Sequence, residues 1–327
     1  MMEMKRYEFL LEATTPIAHH AEVFGNSAVV MRRKVRMQTG EWAHVPVVTG
    51  DTMRHGLREA AAYAFLDAAG MLDKGSLSEA ALRLLFAGGM VTGRGDASVV
   101  KLDAYREMVE LMPSLGLLGG CASNRVIPGR LIVDDATLIC EETRGRVPGW
   151  MIEPAGAVDT CRAHVELVQR VRMDPTLDPA KRNLLAYGAG VDAHDRLLAS
   201  ESAHAADDAM ERKDSKSSMM PRTFERVVAG SMFMWSVEAT TYSDLDVDTF
   251  NAMVASFLRN ARVGGKRGTG HGLLRAVEAR GVHVARPQDR TDTIRGAELA
   301  PKIGELFRAH VSARKDRIAK MLAEVDA

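Results

Sequence analysis

A short glycine-rich stretch near the C-terminal third of the chain limits the fold more than any other feature. Residues 264–272 contain five glycines and three side chains that can carry positive charge, Lys266, Arg267 and His271. The stretch follows apolar residues at helical spacing and precedes an apolar run typical of a strand. Because glycine permits positive φ angles and close approach of another backbone, we predict a tight loop between a helix and a strand. Exposed N–H groups and cations in such a loop suit the oxygens of a polyanion.

The glycine-rich loop matches neither of two common nucleotide-binding motifs. A Walker loop has Gly-Lys followed by Ser or Thr, whereas Lys266 is followed by Arg267. The dinucleotide fingerprint follows a strand and precedes a helix, which is the reverse of the order predicted here. We therefore predict contact with a nucleic-acid backbone, and a basic turn without a ligand is the alternative. The predicted contacts are Gly264, Gly265, Lys266, Arg267, Gly268, Gly270 and His271.

A second basic cluster lies in a predicted β-hairpin. Residues 29–37 alternate valine with basic side chains, Thr39-Gly40 is a turn signal, and residues 42–48 form the returning strand. A solvated strand face explains such a cluster as well as contact with RNA or DNA does. The predicted RNA-binding residues in this hairpin are Arg32, Arg33, Lys34 and Arg36.

The first long helix is predicted over residues 52–69, with Thr49 or Asp51 as its cap and Gly70 at its end. Arg54 and Arg58 lie in its first turns, where cations oppose the helix dipole. A bound anion would offset that cost. The arrangement therefore points to a phosphate near Gly50 and Arg54.

The composition indicates a protein outside the membrane and secretory classes. No run is long enough to span a bilayer, residues 1–6 are not a signal peptide, and three cysteines lack zinc-site spacing. We expect a cytoplasmic protein without membrane contact, metal or cofactor. The 43 basic and 43 acidic residues give no formal net charge. Basic clusters on such a chain require acidic surface elsewhere, which we expect to face another copy of the chain.

The order of the predicted elements defines the fold class. Without the longer insertions, the order is strand, helix, strand, strand, helix, strand, which predicts an α+β, ferredoxin-like fold. The third strand is predicted at residues 231–240, the second helix begins with Asp246 as its cap, and the fourth strand covers residues 273–279. A single helix is predicted at the C-terminal end.

Residues 45–58 resemble the first-helix entry of the repeat-associated mysterious protein (RAMP) superfamily. Thr49-Gly50-Asp51-Thr52 stands for the turn of that family, and Gly56-Leu57-Arg58 for the glycine- and arginine-bearing helix that follows it. Pro-Gly-Arg-Leu at residues 128–131 and the glycine-rich loop also match. Within the superfamily, the chain is most similar to the backbone subunit of class 1 CRISPR effectors, and the type IV version resembles it most.

The resemblance implies a palm, a helical finger insertion and a thumb that presses between guide bases. The expected palm segments are residues 1–70 with the basic hairpin, a strand in 121–140, and 231–284 with the glycine-rich loop. The fingers fall at 71–120, the thumb at 141–230 and the C-terminal helix at 285–327. The family's RNA contacts carry over to Gly50, Arg54 and Arg58 and to Lys266, Arg267 and His271.

The implied function is a non-catalytic subunit that polymerises along a CRISPR guide RNA. Its implied partners are the guide RNA, the target nucleic acid by way of the guide, copies of itself in a helical filament, and other effector subunits. We predict an acidic face that contacts the next copy. Its members are Asp207, Asp208, Glu211, Asp244, Asp246 and Asp248.

Two other functions remain open. A guide-processing endoribonuclease of the same superfamily would use a histidine as general acid or base, and His55 is the candidate. The second is a scaffold that binds no RNA. Some backbone subunits of the superfamily cleave target RNA with an aspartate in the loop after the first strand. Asn26, a neutral amide, takes that position here, so we expect no cleavage. Glu22, the only acid in that loop, is the alternative metal ligand.

Overall fold

The computed structural model describes residues 2–24, 26–73, 75, 77–89, 102–122, 125–156, 158–173, 219–283, 292–294 and 303–324. The predicted acidic residues Asp207, Asp208 and Glu211 lie outside the described residues. The chain is divided into two compact units. The first comprises Met1–Ala21, Val30–Glu166 and Arg226–Ala327, and the second comprises Glu22–Val29 and Leu167–Glu225.

The described strands are numbered in chain order. They are β1 (Glu3–Ala13), β2 (His20–Phe24), β3 (Ser27–Val30), β4 (Arg32–Arg36), β5 (Trp42–Val48), β6 (Gly120–Ala122), β7 (Arg125–Ile127), β8 (Leu131–Val133), β9 (Ala136–Leu138), β10 (Val165–Met173), β11 (Met219–Val227), β12 (Met232–Thr241), β13 (Ala261–Arg262), β14 (Leu273–His283) and β15 (Asp292–Ile294).

The described α-helices are numbered in the same way. They are α1 (Gly50–Ala69), α2 (Glu79–Ala87), α3 (Leu102–Leu111), α4 (Pro113–Leu118), α5 (Gly149–Ala155), α6 (Asp244–Arg259), α7 (Glu305–Ser312) and α8 (Lys315–Glu324). None of the helices in the described part of the chain combines the length and apolar character that crossing a bilayer requires.

The first unit is built on a mixed α+β core, so the predicted fold class is confirmed at that level. Its main sheet runs in the order β13-β14-β1-β12-β9-β5-β4, with β15 beside β14 and β8 beside β12. The central strand β1 pairs antiparallel with both β12 and β14. Helices α1 and α6 cover one face of this sheet, where Trp235 stacks on Phe9 with ring centroids 5.1 Å apart.

The ends of the two long helices follow from local hydrogen bonds. The Thr49 side chain accepts from the N–H of Thr52, and Gly70 takes a left-handed conformation, so both predicted ends of α1 are confirmed. At α6 the prediction was wrong, because the cap is Ser243, whose side chain accepts from the N–H of Asp246. Asp246 lies inside the first turn and binds Arg130 instead.

Asp246 and Arg130 form a half-buried ion pair that fixes the start of α6. The two guanidinium nitrogens of Arg130 lie 2.6 and 2.9 Å from the carboxylate oxygens, and the N–H of Tyr242 also donates to Asp246. Burial raises the pKa of Asp246, but these hydrogen bonds outweigh it and hold that pKa below its ordinary value. Asp246 is therefore committed within the fold.

The palm strand expected within residues 121–140 is interrupted between β8 and β9. Both β8 and β9 pair with β12, with Val133 opposite Val237 and Thr137 opposite Met234. The chain takes four steps from Val133 to Thr137 against three on β12, so it carries a β-bulge. The bulge holds Asp134, which accepts from the hydroxyl of Ser236, and Asp135, which reaches the start of α1.

The single helix predicted at the C-terminal end is also wrong, because α7 and α8 are separate helices. The buried residues Phe307, Val311, Ile318 and Leu322 lie on one face at helical spacing, so the apolar pattern carries no sign of the break. Different neighbours explain it: α7 packs against α1 and α6, whereas α8 contacts α3. The Asp248 carboxylate accepts from the N–H groups of Gly304 and Phe307 and fixes the start of α7.

Two further regions lie outside the main sheet. Helices α2 and α3 fall within residues 71–120, the expected finger segment, and with α7 and α8 they form a second apolar cluster. In the second unit, β10 and β11 share a sheet with β3 and β2.

Candidate nucleic-acid interface

The helix entry, defined as Gly50, Arg54 and Arg58, is occupied by contacts within the protein. The N–H of Gly50 donates to the Asp135 carboxylate at 2.7 Å. A Cβ atom at Gly50 would lie 2.4 Å from the Val133 carbonyl oxygen, so only glycine fits there. The Asp135 carboxylate therefore lies at the helix start where the sequence predicts an anion, and Gly50 allows the close packing there. The RNA contact of Gly50 stays a prediction.

Arg54 and Arg58 also turn into the protein. Arg54 donates to the carbonyls of Leu131 and Leu118, and Arg58 donates to Gly119 at 3.0 Å and Leu118 at 3.2 Å. Burial, with a smaller contribution from the charge of Arg54, lowers the pKa of Arg58 to about 10. Both arginines hold the segment after α4 against α1, and their RNA contacts stay predictions.

The bulge residue Asp135 connects the helix entry with the basic hairpin. Its second carboxylate oxygen accepts from Nε of Arg33 at 2.7 Å. This hydrogen bond and the carboxylate charge raise the pKa of Arg33. Of the four predicted hairpin cations, Arg33 therefore holds the hairpin to the β-bulge at Asp135.

The remaining hairpin cations lie on the opposite side, on a surface that we name the basic ribbon. Cross-strand pairing sets Lys34 opposite His44 and Arg36 opposite Trp42. Because directly opposed residues share a face, each of these cations lies beside a ring, the imidazole of His44 or the indole of Trp42. Val35, Ala43 and Val45 occupy the other face and pack into the core. The ribbon consists of Arg32, Lys34, Arg36, Trp42 and His44.

Trp42, like His44, is a ribbon residue that sequence reasoning did not select. It is 58% exposed, and the ammonium of Lys34 lies 4.7 Å from the ring centroid. The guanidinium carbon of Arg36 lies 6.0 Å from the same centroid. The signal was available, because the turn at Thr39-Gly40 fixes a register that sets Trp42 beside the predicted cations.

The glycine-rich loop is anchored at its ends and exposed at its tip. The N–H of Gly265 donates to the Ala18 carbonyl at 2.7 Å, and the N–H of Gly272 donates to Pro16 at 2.9 Å. A Cβ atom at Gly264 would lie 2.8 Å from the same Ala18 oxygen. At the tip, Gly268 and Gly270 are exposed. Gly264 and Gly265 therefore position the loop by close backbone approach.

Lys266 has an unusual backbone conformation at the exposed tip. Its φ angle is 58°, and among the described non-glycine residues it alone has a positive φ. A left-handed lysine costs about 1–2 kcal/mol relative to a relaxed conformation. The loop holds an exposed cation in that conformation.

His271 and Arg267 are engaged with neighbours. His271 is 3% exposed, and its contact with RNA stays a prediction. Because arginine can only donate, the ring Nε2 accepts from Arg226 at 3.2 Å, and Nδ1 donates to the Thr269 carbonyl. Arg267 donates to the Glu59 carboxylate on α1 at 2.8 Å. These contacts shape the loop from within.

The other predicted residues separate into exposed and engaged groups. His55 is exposed on α1, whereas Nε2 of His19 accepts from the N–H of Thr49. Asp246 and Asp248 are committed to hydrogen bonds within the protein, which removes them from the predicted acidic face, and Asp244 is exposed. Among the described residues, no group of three histidine, cysteine or acidic side chains is arranged to hold a metal.

Comparison with known proteins gives a structural likeness. No protein-family model matches the sequence, and no curated protein matches it. Among solved structures, the chain resembles one in a structure described as "Type IV-B CRISPR Complex", with a TM-score of 0.51 and 14% sequence identity. The match covers 91% of this chain and 98% of that chain. The two chains share a fold.

Proposed function

We propose that this protein is an RNA-binding backbone subunit of a CRISPR effector complex of the RAMP superfamily. The observation that carries the proposal is the fold shared with a chain of a type IV-B CRISPR complex over nearly the whole of both chains. In this function the subunit coats the guide RNA and presents it for pairing with target nucleic acid. Copies of the chain and other effector subunits are its protein partners.

The order of strands supports a ferredoxin-like palm. The final long strand β14 lies on one side of β1 and β12 on the other, with β8 and β9 beyond β12. A split βαβ fold has this order, with its two helices on one face. Helices α1 and α6 take those helix positions.

Two exposed surfaces of the first unit supply the proposed RNA contacts. They are the basic ribbon and the tip of the glycine-rich loop with Lys266. Because cations that bind phosphate release counterions, affinity for RNA will fall steeply with salt concentration. Contacts of this kind tolerate any guide sequence, as a guide-coating subunit requires.

We further propose that the subunit holds RNA without cutting it. A hard metal ion that activates water needs carboxylate ligands, and Asn26 offers a neutral amide where cleaving relatives have an aspartate. His19 accepts a hydrogen bond from the start of α1, so it serves the fold.

Co-expression with a guide RNA tests the proposal. We expect purified protein with high absorbance at 260 nm and a ladder of large species in negative-stain images or sizing columns. Treatment of the sample with a ribonuclease should convert the large species into small ones. A preparation without guide RNA provides the control. A strictly monomeric, RNA-free protein in the presence of guide RNA would contradict the function.

The absence of cleavage needs a separate experiment. The assembled complex is mixed with complementary RNA and magnesium or manganese, and the products are separated by size. We expect intact target. Products at regular spacing that disappear in Glu22→Ala would overturn the non-catalytic assignment.

A further inference from the structure

We propose that Trp42 on the basic ribbon is a stacking platform for a base of single-stranded RNA. In this arrangement Lys34 and Arg36 bind the phosphates beside the stacked base. The inference rests on the proposed function, which it deepens by adding base contact to phosphate contact. Both the ring and the cations belong to one strand pair of the first unit.

The first argument is the placement of the indole. Trp235 at 2% exposure and Phe9 at 1%, two other large aromatic side chains of this sheet, are buried in the core. Trp42 is 58% exposed, so most of its apolar surface contacts water. Burial of an aromatic ring is favourable, and a nucleobase offers a flat apolar face of similar size.

The second argument is the rigidity of the platform. The back of the ribbon is packed into the core through Val35, Ala43 and Val45. The Arg33–Asp135 hydrogen bond holds the ribbon to the bulge, and Gly40 at φ 90° closes the turn. A ring on a fixed strand pair loses little conformational freedom when a base stacks on it.

The third argument is the spacing of charge around the ring. Residues two apart on a strand are separated by about 6.8 Å, so Lys34 and Arg36 flank the ring at the scale of one nucleotide step. Base stacking with nearby cations is how proteins bind single strands without reading sequence. A duplex buries the faces of its bases, so the arrangement selects a single strand.

Tryptophan fluorescence tests the stacking directly, because a stacked base quenches indole emission. The chain has three tryptophans. Trp42 is exposed and Trp235 is buried. Trp150 is half-buried, and its ring centroid lies 4.5 Å from the guanidinium carbon of Arg280. We expect a single-stranded adenine oligonucleotide to quench the tryptophan emission of the wild-type protein. Trp42→Leu should lose the quenching, whereas the matched control Trp150→Phe should retain it.

Affinity measurements separate stacking from charge. Trp42→Leu should weaken binding about tenfold with an unchanged salt dependence, and Trp42→Phe should restore most of the affinity. The double variant Lys34→Ala with Arg36→Ala should reduce the slope of affinity against salt. An oligonucleotide with the same phosphates but abasic sugars should bind wild type and Trp42→Leu equally.

The outcomes distinguish this inference from the function on which it rests. Failure of the wild-type protein to bind any single-stranded RNA overturns both. Salt-dependent binding with no quenching, and with full affinity in Trp42→Leu, overturns the stacking and leaves the function standing. Thermal unfolding of each variant checks that the exposed substitutions leave the fold intact.

Discussion

The helix entry and the basic ribbon are both rich in arginine, yet they use it in opposite ways. At the helix entry, Arg54 and Arg58 donate to main-chain carbonyls that the fold places beside them, those of Leu118, Gly119 and Leu131. On the ribbon, the β4–β5 ladder already pairs the main chain, and the side chains of Lys34 and Arg36 extend into solvent. The comparison shows that basic side chains support the fold where main-chain carbonyls face them, and extend into solvent where the strand pairing already satisfies the main chain.

A change at a glycine tests the comparison most severely. Gly50→Ala should lower the free energy of unfolding by about 3 kcal/mol or more, because the new methyl group meets the fixed Val133 carbonyl. Gly268→Ala, at the open loop tip, should leave stability unchanged. Chemical denaturation of both variants measures the difference. Equal stability of the two would show that the helix entry is not tightly packed.

A matched arginine pair sharpens the contrast. Arg58→Met should cost about 2 kcal/mol of stability, because the Gly119 carbonyl loses its donor, while RNA affinity per folded molecule stays the same. Arg36→Met should change stability by less than about 0.5 kcal/mol and weaken RNA binding. Denaturant titration gives the free energy of unfolding of each variant, and an RNA-binding assay gives its affinity for RNA. Reversed effects would assign RNA binding to the helix entry.

The glycine-rich loop offers a smaller effect of opposite sign. Lys266→Gly should raise the free energy of unfolding by about 1 kcal/mol, because glycine adopts the left-handed conformation without strain. The same change should weaken RNA binding by removing an exposed charge. Lys266→Arg keeps the charge and should keep the affinity. A destabilised Lys266→Gly protein with full affinity would contradict both expectations.

The smallest expected effect is a pH dependence at the helix entry. Burial, followed by the charge of His20, lowers the pKa of His19 from 6.5, and Arg33 also lowers it while Asp135 raises it. On acidification, His19 therefore binds its proton at a higher pH in the unfolded chain than in the folded protein. The free energy of unfolding should fall as the pH drops below about 6.5. His164, whose pKa burial also lowers, contributes in the same direction.

Comparison with His19→Gln isolates that contribution. Glutamine can still accept from the N–H of Thr49 but does not titrate in this range. Relative to the variant, the wild-type protein should lose unfolding free energy as the pH falls from 7.5 towards 5.5. A pH-independent difference would mean that His19 titrates at its ordinary pKa.

Local sequence signals predicted much of the fold. The caps of α1, the hairpin turn and the glycine-rich loop depend on residues within a few positions of each other, so propensity and spacing determine them. The predictions failed where a distant partner decides. Asp246 was assigned as a cap, but Arg130 engages it from 116 positions away. The bulge at Asp134 and Asp135 depends on contacts with Ser236 and Gly50, which no local pattern encodes.

The sequence by itself determined the candidate RNA-binding residues: the basic hairpin, the arginines of α1 and the cations of the loop at residues 264–272. Only the tertiary structure decided which of them face outward. Asp135, brought 85 positions along the chain to Gly50, fills the predicted anion site. His271 enters the interior and positions its loop, while Trp42 reaches the surface beside Lys34. The physical reason is that buried polar groups must find partners, and the fold draws them from whichever side chains it brings near.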